Sequence, residues 1–172
     1  QQLQTHSMVL PTLQARALSK LSEQPWMNCH FDFERRNLMI DSNNEIAVID
    51  FQDLCIGPVG IDLAGIIVDH YISYSDQLIN NALKHYIQCL KLDVSVEDVN
   101  EWLRWGGIQR NMRILGTLSN LYLQDNRTFR LNDLPGILKN LINLIPNDEF
   151  MSLKEHLSSA VMPKLHKELK AL

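Results

Sequence analysis

Apolar positions recur along this chain with two different periods. In the first 24 residues Leu13, Ala17, Leu18 and Leu21 fall at helical spacing, which predicts a helix with Pro11 in its first turn. A short apolar stretch, Trp26 to Cys29, leads into His30. Two brief apolar runs follow, Leu38-Met39-Ile40 and Ile46-Ala47-Val48-Ile49. The polar segment Asp41-Ser42-Asn43-Asn44-Glu45 separates them. Its asparagines tolerate positive φ, so the pair reads as a β-hairpin. Beyond Gly60 the period is helical. Asp62 is placed to cap a helix through Leu63 to Val68, and Ser75 precedes another carrying Leu78, Leu83, Tyr86 and Leu90. Ser95 with Asp98 resembles a capping box and opens a long stretch through Trp102, Trp105, Ile108, Met112, Leu115, Leu118 and Leu121. Two further helices are predicted near Leu134 to Leu144 and Ser152 to Leu169.

Composition narrows the class. The 172 residues are 45% hydrophobic and 21% charged, which suits one globular domain with a core that needs neither disulfides nor structural metal. The net charge of −4 comes with no basic stripe, which argues against a nucleic-acid binder. No apolar run reaches the length of a membrane span, and no basic-then-apolar leader stands at the start. Cys29, Cys55 and Cys89 form no CxxC pair and read as buried thiols in a reducing, cytoplasmic compartment. Trp102, Trp105, Met39 and Met112 are expected in the core. The chain begins with Gln-Gln rather than Met, so further residues are expected upstream.

The chemistry concentrates between residues 30 and 62. Residues 30 to 37 read His-Phe-Asp-Phe-Glu-Arg-Arg-Asn, the pattern H-x-D-x-x-x-x-N, and the second strand of the hairpin ends in Asp50-Phe51-Gln52-Asp53. Phosphoryl transfer needs one carboxylate to accept the proton of the attacking hydroxyl. It also needs oxygen ligands to hold magnesium on the nucleotide phosphates. A hairpin between the two segments brings Asn37 and Asp50 back to one place.

This segment resembles the catalytic and metal-binding loops of the aminoglycoside phosphotransferase and choline kinase superfamily, relatives of the protein kinases. The resemblance implies that Asp32 is the catalytic base, that Asn37 and Asp50 are magnesium ligands, and that His30 supports the loop. Asp62 resembles the helix-start aspartate that steadies this loop, beside its reading as a plain cap. The fold implied is mainly α (α+β), a protein-kinase-like C-terminal lobe. In it a small β-hairpin carries the catalytic and metal loops on a helical bundle, residues 1–172 forming one domain. ATP and Mg2+ are the implied co-substrate and cofactor, and a small molecule is the acceptor.

A narrower similarity runs through Arg36-Asn37-Leu38-Met39, Ile49 to Asp53, Gly57-Pro58 and Asp62-Leu63. It resumes at Gly107 to Gly116 and around Leu131 to Pro135. These segments are similar to bacterial cell-wall amino-sugar kinases, which phosphorylate N-acetylmuramate and N-acetylglucosamine at the anomeric hydroxyl during peptidoglycan recycling. Arg110 and Arg113 are then candidates to meet an anionic group of the sugar, or else lie on a solvated helix face. Asp53, with Gln52, has three readings: a metal-site member, a contact to the acceptor, or a turn before Gly57-Pro58.

Two residues depart from the superfamily pattern. Phe31 stands where many relatives carry Arg or Gly, and Glu34 stands where protein-serine kinases place a lysine. No Gly-rich loop and no strand lysine with a helix glutamate partner is found. The nucleotide-binding lobe is therefore expected outside this chain, the isolated piece is expected to be inactive, and its inter-lobe face is expected to favour self-association. An aminoglycoside or choline-type kinase, or a non-catalytic binding module, is the alternative.

Overall fold

The period of the first segment is realised as one helix, α1 (Gln2–Ser22), in the computed structural model, which describes the backbone of residues 2–172 and the side chains from Val9 onward. Leu13, Ala17 and Leu21 are buried, whereas Leu18 is exposed. Pro11 lies inside the helix and not in its first turn, because helical backbone continues N-terminal to it. The chain divides into two compact units, Lys20–Gly107 and a second made of residues up to Ser19 with Ile108–Leu172.

The unit Lys20–Gly107 holds both small sheets. β1 (Trp26–Cys29) is followed by a 3-10 turn at Arg35–Asn37, then β2 (Leu38–Ile40) and β3 (Ile46–Val48). β2 and β3 pair antiparallel with Leu38 opposite Val48 and Ile40 opposite Ile46, the expected hairpin. Its turn is built by Asp41, whose Oδ1 accepts the N–H groups of Asn43 and Glu45, both at 2.8 Å. Asn44 takes φ 63°, a left-handed conformation that asparagine tolerates.

The second sheet was not anticipated. β4 (Cys55–Pro58) pairs antiparallel with β1, placing Cys29 opposite Cys55 and Trp26 opposite Pro58. The turn read before Gly57-Pro58 lies at residues 52–53, and Pro58 itself is tolerated on the edge of a two-stranded sheet. The hairpin itself is more exposed than its composition implies. Met39, expected in the core, is 51% exposed, and Ile40 and Ile46 are exposed as well. Among the described residues no third strand covers this sheet. Cys29 alone of the three thiols is buried, while Cys55 and Cys89 are exposed.

Two helices and the first part of a third complete this unit. α2 (Gly60–Ile67) follows β4 directly. α3 (Asp76–Leu90) starts at Ser75, whose Oγ accepts the Leu78 N–H. α4 (Val96–Asp125) starts in a reciprocal box. Ser95 Oγ accepts from Asp98 N at 3.0 Å, and Asp98 Oδ2 accepts from Ser95 N at 2.9 Å. Aspartate reaches back far enough to replace the usual Glu or Gln. The hydrogen bonds from Ser95 hold its carboxyl below the usual aspartate range. The first turns of α4 bury Val99, Leu103 and Trp105.

The second unit is helical. α5 (Leu134–Leu144) buries Leu134, Ile137, Leu138, Leu141 and Ile142, and Leu118, Leu131, Leu134 and Ile137 share one apolar cluster. The final predicted helix starts earlier than expected and is not uniform. α6 (Asn147–His156) contains a non-helical Phe150, a π turn spans Leu157–Val161, and α7 (Met162–Leu169) follows. Pro163 has no N–H to return to the chain, which favours a widened turn before it. Ser158 and Ser159 hydroxyls donate to the carbonyls of Lys154 and Glu155 in that turn. Among the described residues, no helix is long and apolar enough to cross a membrane.

Candidate active site

The loop from His30 to Asn37 connects β1 to β2, and its course is set largely by main-chain contacts. Asp62, in the first turn of α2, receives two backbone donors from it. Its Oδ2 accepts from His30 N at 2.6 Å and its Oδ1 from Phe31 N at 2.9 Å. The side chain is thus bonded to the loop. Phe31 takes φ 64°, which for an aromatic residue costs on the order of 1–3 kcal/mol. The Asp62 bonds over-determine that conformation. The Phe31 ring lies over Gly57, where an added Cβ would come within 2.6 Å of Cζ. A second close approach occurs at Gly65 of α2, where a Cβ would stand 2.2 Å from the Phe33 carbonyl oxygen.

α2 is in turn clamped to its surroundings. The buried Gln24 side chain accepts the Gly60 N–H at 2.9 Å and donates to the Trp102 carbonyl at 3.2 Å. At Gly60 a Cβ would lie 2.2 Å from Trp102 O, and at Gly106 one would lie 2.0 Å from Gly60 O. Sequence reading did not find Gln24, Gly60, Gly65 or Gly106. Each matters through a contact distant in sequence, and none carries a local signal.

Removing the Asp62 carboxylate has a direct consequence. Asp62→Ala leaves two loop N–H groups without their charged acceptor, so stability is expected to fall by about 2–3 kcal/mol. Asp62→Asn, which keeps one oxygen, is expected to cost less. Urea unfolding midpoints check both, and an Asp62→Ala protein as stable as the original would show that water replaces the carboxylate.

Within the loop, Asn37 is the organising side chain. Its Nδ2 donates to Asp32 O at 2.8 Å and approaches Asp32 Oδ2 at 3.4 Å. Its backbone N–H donates to Glu34 O, and Glu34 N to Asp32 O. With the amide nitrogen occupied, the Asn37 side-chain oxygen is the atom left to act as a ligand. The hairpin returns the chain to this point, because Ile49 N donates to Asn37 O at 3.0 Å. His30 Nε2 donates to Ile49 O at 2.9 Å from the other side. Asp50 follows with φ 64°, and its Oδ1 accepts from Gln52 Nε2 at 3.0 Å.

Asp32, Asn37, His30, Asp50, Gln52 and Asp62 therefore belong to one locality. Asp53 lies exposed in the turn that leads to β4. Arg110 and Arg113 lie on α4 in the second unit. Arg110 is buried and so is not on a solvated face, whereas Arg113 is exposed.

A residue that the motif reading did not single out is Arg36. Its guanidinium Nη2 donates to Asp32 Oδ2 at 2.6 Å and pairs with Glu34 Oε1 at 3.1 Å. Its neighbour Arg35 pairs instead with Asp69 at 3.2 Å. Beneath the loop, the Cys29 thiol donates to Gly57 O at 3.3 Å. Burial, with the Asp62 charge adding to it, pushes this thiol up to about 11, so it stays protonated and unreactive near neutrality.

The Asp50 carboxylate and the Asn37 amide oxygen are the kind of oxygen ligands that suit a hard cation completing its shell from phosphates and water, and the bond from Ile49 N to Asn37 O brings their backbones together. No group of three or more His, Cys, Asp or Glu side chains that could hold a metal occurs among the described residues. A cation here would therefore depend on a ligand it shares with the protein. Behind the loop lies an apolar cavity of about 780 Å3, bordered by Phe33, Val48, Phe51, Leu63, Leu83 and Tyr86. Asp32, Asn37 and Asp50 do not line it.

The chain is 28% identical over 129 residues to an N-acetylmuramate/N-acetylglucosamine kinase of Neisseria meningitidis, covering 72% of this chain and 38% of that protein. Proteins of the same name from Pseudomonas aeruginosa and Pseudomonas putida are 29% and 27% identical over 143 and 117 residues. Those matches cover 80% and 65% of this chain, and 42% and 34% of the relatives. The chain thus spans about two fifths of the length of the curated relatives it matches. The profile of the phosphotransferase enzyme family matches residues 2–95, which include β1, the loop, the hairpin and Asp62. The chain belongs to the phosphotransferase enzyme family.

Proposed function

We propose that this chain is the catalytic-loop portion of an ATP- and magnesium-dependent kinase acting on the hydroxyl of an amino sugar, of the N-acetylmuramate or N-acetylglucosamine kind. The observation that carries this reading is the convergence of Asp32, Asn37 and Asp50 through the loop and the hairpin. The names of the three relatives support the sugar as acceptor. In this reading Asp32 accepts the proton of the acceptor hydroxyl. Asn37 Oδ1 and the Asp50 carboxylate hold magnesium, which supplies charge neutralisation on the nucleotide phosphates when bound. Gln24, Asp62, His30 and the small residues beneath the loop hold these groups to the geometry that positioning catalysis requires.

The same reading assigns this portion to the C-terminal lobe. The 172 residues offer no Gly-rich loop or strand lysine to cradle the phosphates, so by themselves they are expected to transfer little phosphate. The test is phosphate transfer from ATP by the complete gene product to N-acetylmuramate, N-acetylglucosamine and kanamycin with magnesium present. Transfer to the amino sugars supports the reading. Transfer to kanamycin alone keeps the mechanism and replaces the acceptor, and transfer to none of them rejects this acceptor class.

A further inference from the structure

We propose that Arg36 is a catalytic residue, its guanidinium passing from the Asp32 carboxylate to the phosphoryl group in transit; this rests on the kinase reading above. Four observations lead to it. Arg36 Nη2 lies 2.6 Å from Asp32 Oδ2, so it is already within one contact of the group that takes the hydroxyl proton. The same nitrogen lies 3.1 Å from Glu34 Oε1. The turn that carries Arg36 is locked to the base by three bonds, Glu34 N to Asp32 O, Asn37 N to Glu34 O and Asn37 Nδ2 to Asp32 O. The Arg36 side chain is half exposed, so its head can turn without unpacking a core.

Charge gives the arrangement its use. Asp32 and Glu34 place two carboxylates where a group carrying several negative charges must enter. Left uncompensated, Glu34 would oppose the phosphoryl group. Arg36 answers both, and the neighbouring cation, Arg35, is directed to Asp69 and the Tyr71 ring. The Arg36 head is half exposed beside carboxylates that are less so, which leaves the guanidinium side of the pair open to exchange. A guanidinium presents parallel N–H donors that match two phosphoryl oxygens, and here Nη2 alone is engaged with the two carboxylates.

In the step itself, the acceptor oxygen bonds to the γ-phosphorus of the nucleoside triphosphate. The bond from that phosphorus to the bridging oxygen breaks, its electron pair leaving on the nucleoside diphosphate. The hydroxyl proton passes to Asp32. As that carboxylate loses its charge it releases Arg36, which then meets the oxygens of the transferred group. Glu34 limits how far the guanidinium can stray.

The experiment uses the complete gene product with an amino-sugar acceptor. Arg36→Met should lower kcat about a hundredfold or more, with KM for both substrates within about threefold. Guanidinium ion in solution should restore at least about tenfold of that loss. Arg36→Lys should fall between the two. An Arg36→Met protein within threefold of full activity overturns the proposal, as does a loss that guanidinium does not relieve and Arg36→Lys shares in full. Asp32→Asn, made alongside, separates the layers. If it is inactive beside a fully active Arg36→Met, the Arg36 role alone fails; if it is fully active, Asp32 is not the base and the Arg36 role fails with it, whereas no transfer by the unaltered protein rejects the kinase reading itself. A measurement independent of the acceptor is calorimetric binding of ADP with aluminium fluoride and magnesium. Arg36→Met should weaken this complex about thirtyfold and ADP alone by less than about threefold, whereas equal effects on both overturn the proposal.

Discussion

Changing Asp32 to Asn in the complete gene product is expected to lower kcat by roughly 10³-fold while nucleotide affinity stays within about threefold. The reason lies in what the substitution keeps. Asparagine has the shape of aspartate, and the loop is held chiefly by its backbone: His30 N and Phe31 N on Asp62, and Asn37 Nδ2 on the residue 32 carbonyl. The lost contacts are with Arg36 and with Asn37 Nδ2, at a side chain about one third exposed. An ion pair so placed is worth about 0–1 kcal/mol, so the fold should persist. What disappears, in the proposed mechanism, is the proton acceptor. Steady-state transfer assays with a nucleotide titration measure both quantities, and an unchanged kcat would remove Asp32 from the role of base.

The largest expected effect on stability comes from a methyl group. Gly106→Ala should destabilise the chain by about 3 kcal/mol, even though alanine is favoured over glycine by about 1 kcal/mol inside a helix. The two effects oppose each other, and packing wins. The new Cβ would stand 2.0 Å from the carbonyl oxygen of Gly60, which is backbone and cannot swing aside. α2 and α4 must then part, and the Gln24 bridge between Gly60 N and Trp102 O stretches with them. The melting temperature should drop by roughly 10 °C. A Gly106→Ala protein that melts at or above the original temperature would show that the two helices separate at little cost. Gly116→Ala on the same helix is the control, since nothing lies within 4 Å of its added Cβ. It should be neutral or stabilising.

What could be seen in the sequence was whatever depends on neighbours in the chain. The β2–β3 hairpin declared itself through two apolar runs and an Asp-Asn-rich turn, and the caps at Ser75 and Ser95 through hydroxyls before periodic segments. Asn37 and Asp50 came together on paper for the same reason, since a tight hairpin joins them. The β1–β4 sheet was hidden because each strand is four residues long and its partner lies beyond the loop and the hairpin. The glycine contacts and Gln24 were hidden for a related reason, as nothing local distinguishes a glycine that admits a backbone from one that merely ends an element. Burial along the hairpin was misjudged because apolar character was equated with a core. Met39 and Ile40 are apolar and exposed. Arg36 was written in the motif but overlooked, because its interest lies in the 2.6 Å contact and not in the spacing.

The loop's dependence on main-chain atoms gives it an unusual latitude. Asp62 reads two amides, Gly65 admits a carbonyl, and Asn37 ties off another carbonyl. None of these anchors inspects the identity of the side chains at positions 33 and 34. A loop fastened in this way is a template onto which different side chains can be written without redrawing its path. The side chains along it can then drift in descendants of such a sequence, or be diversified in a library, while Asp32 remains where it is.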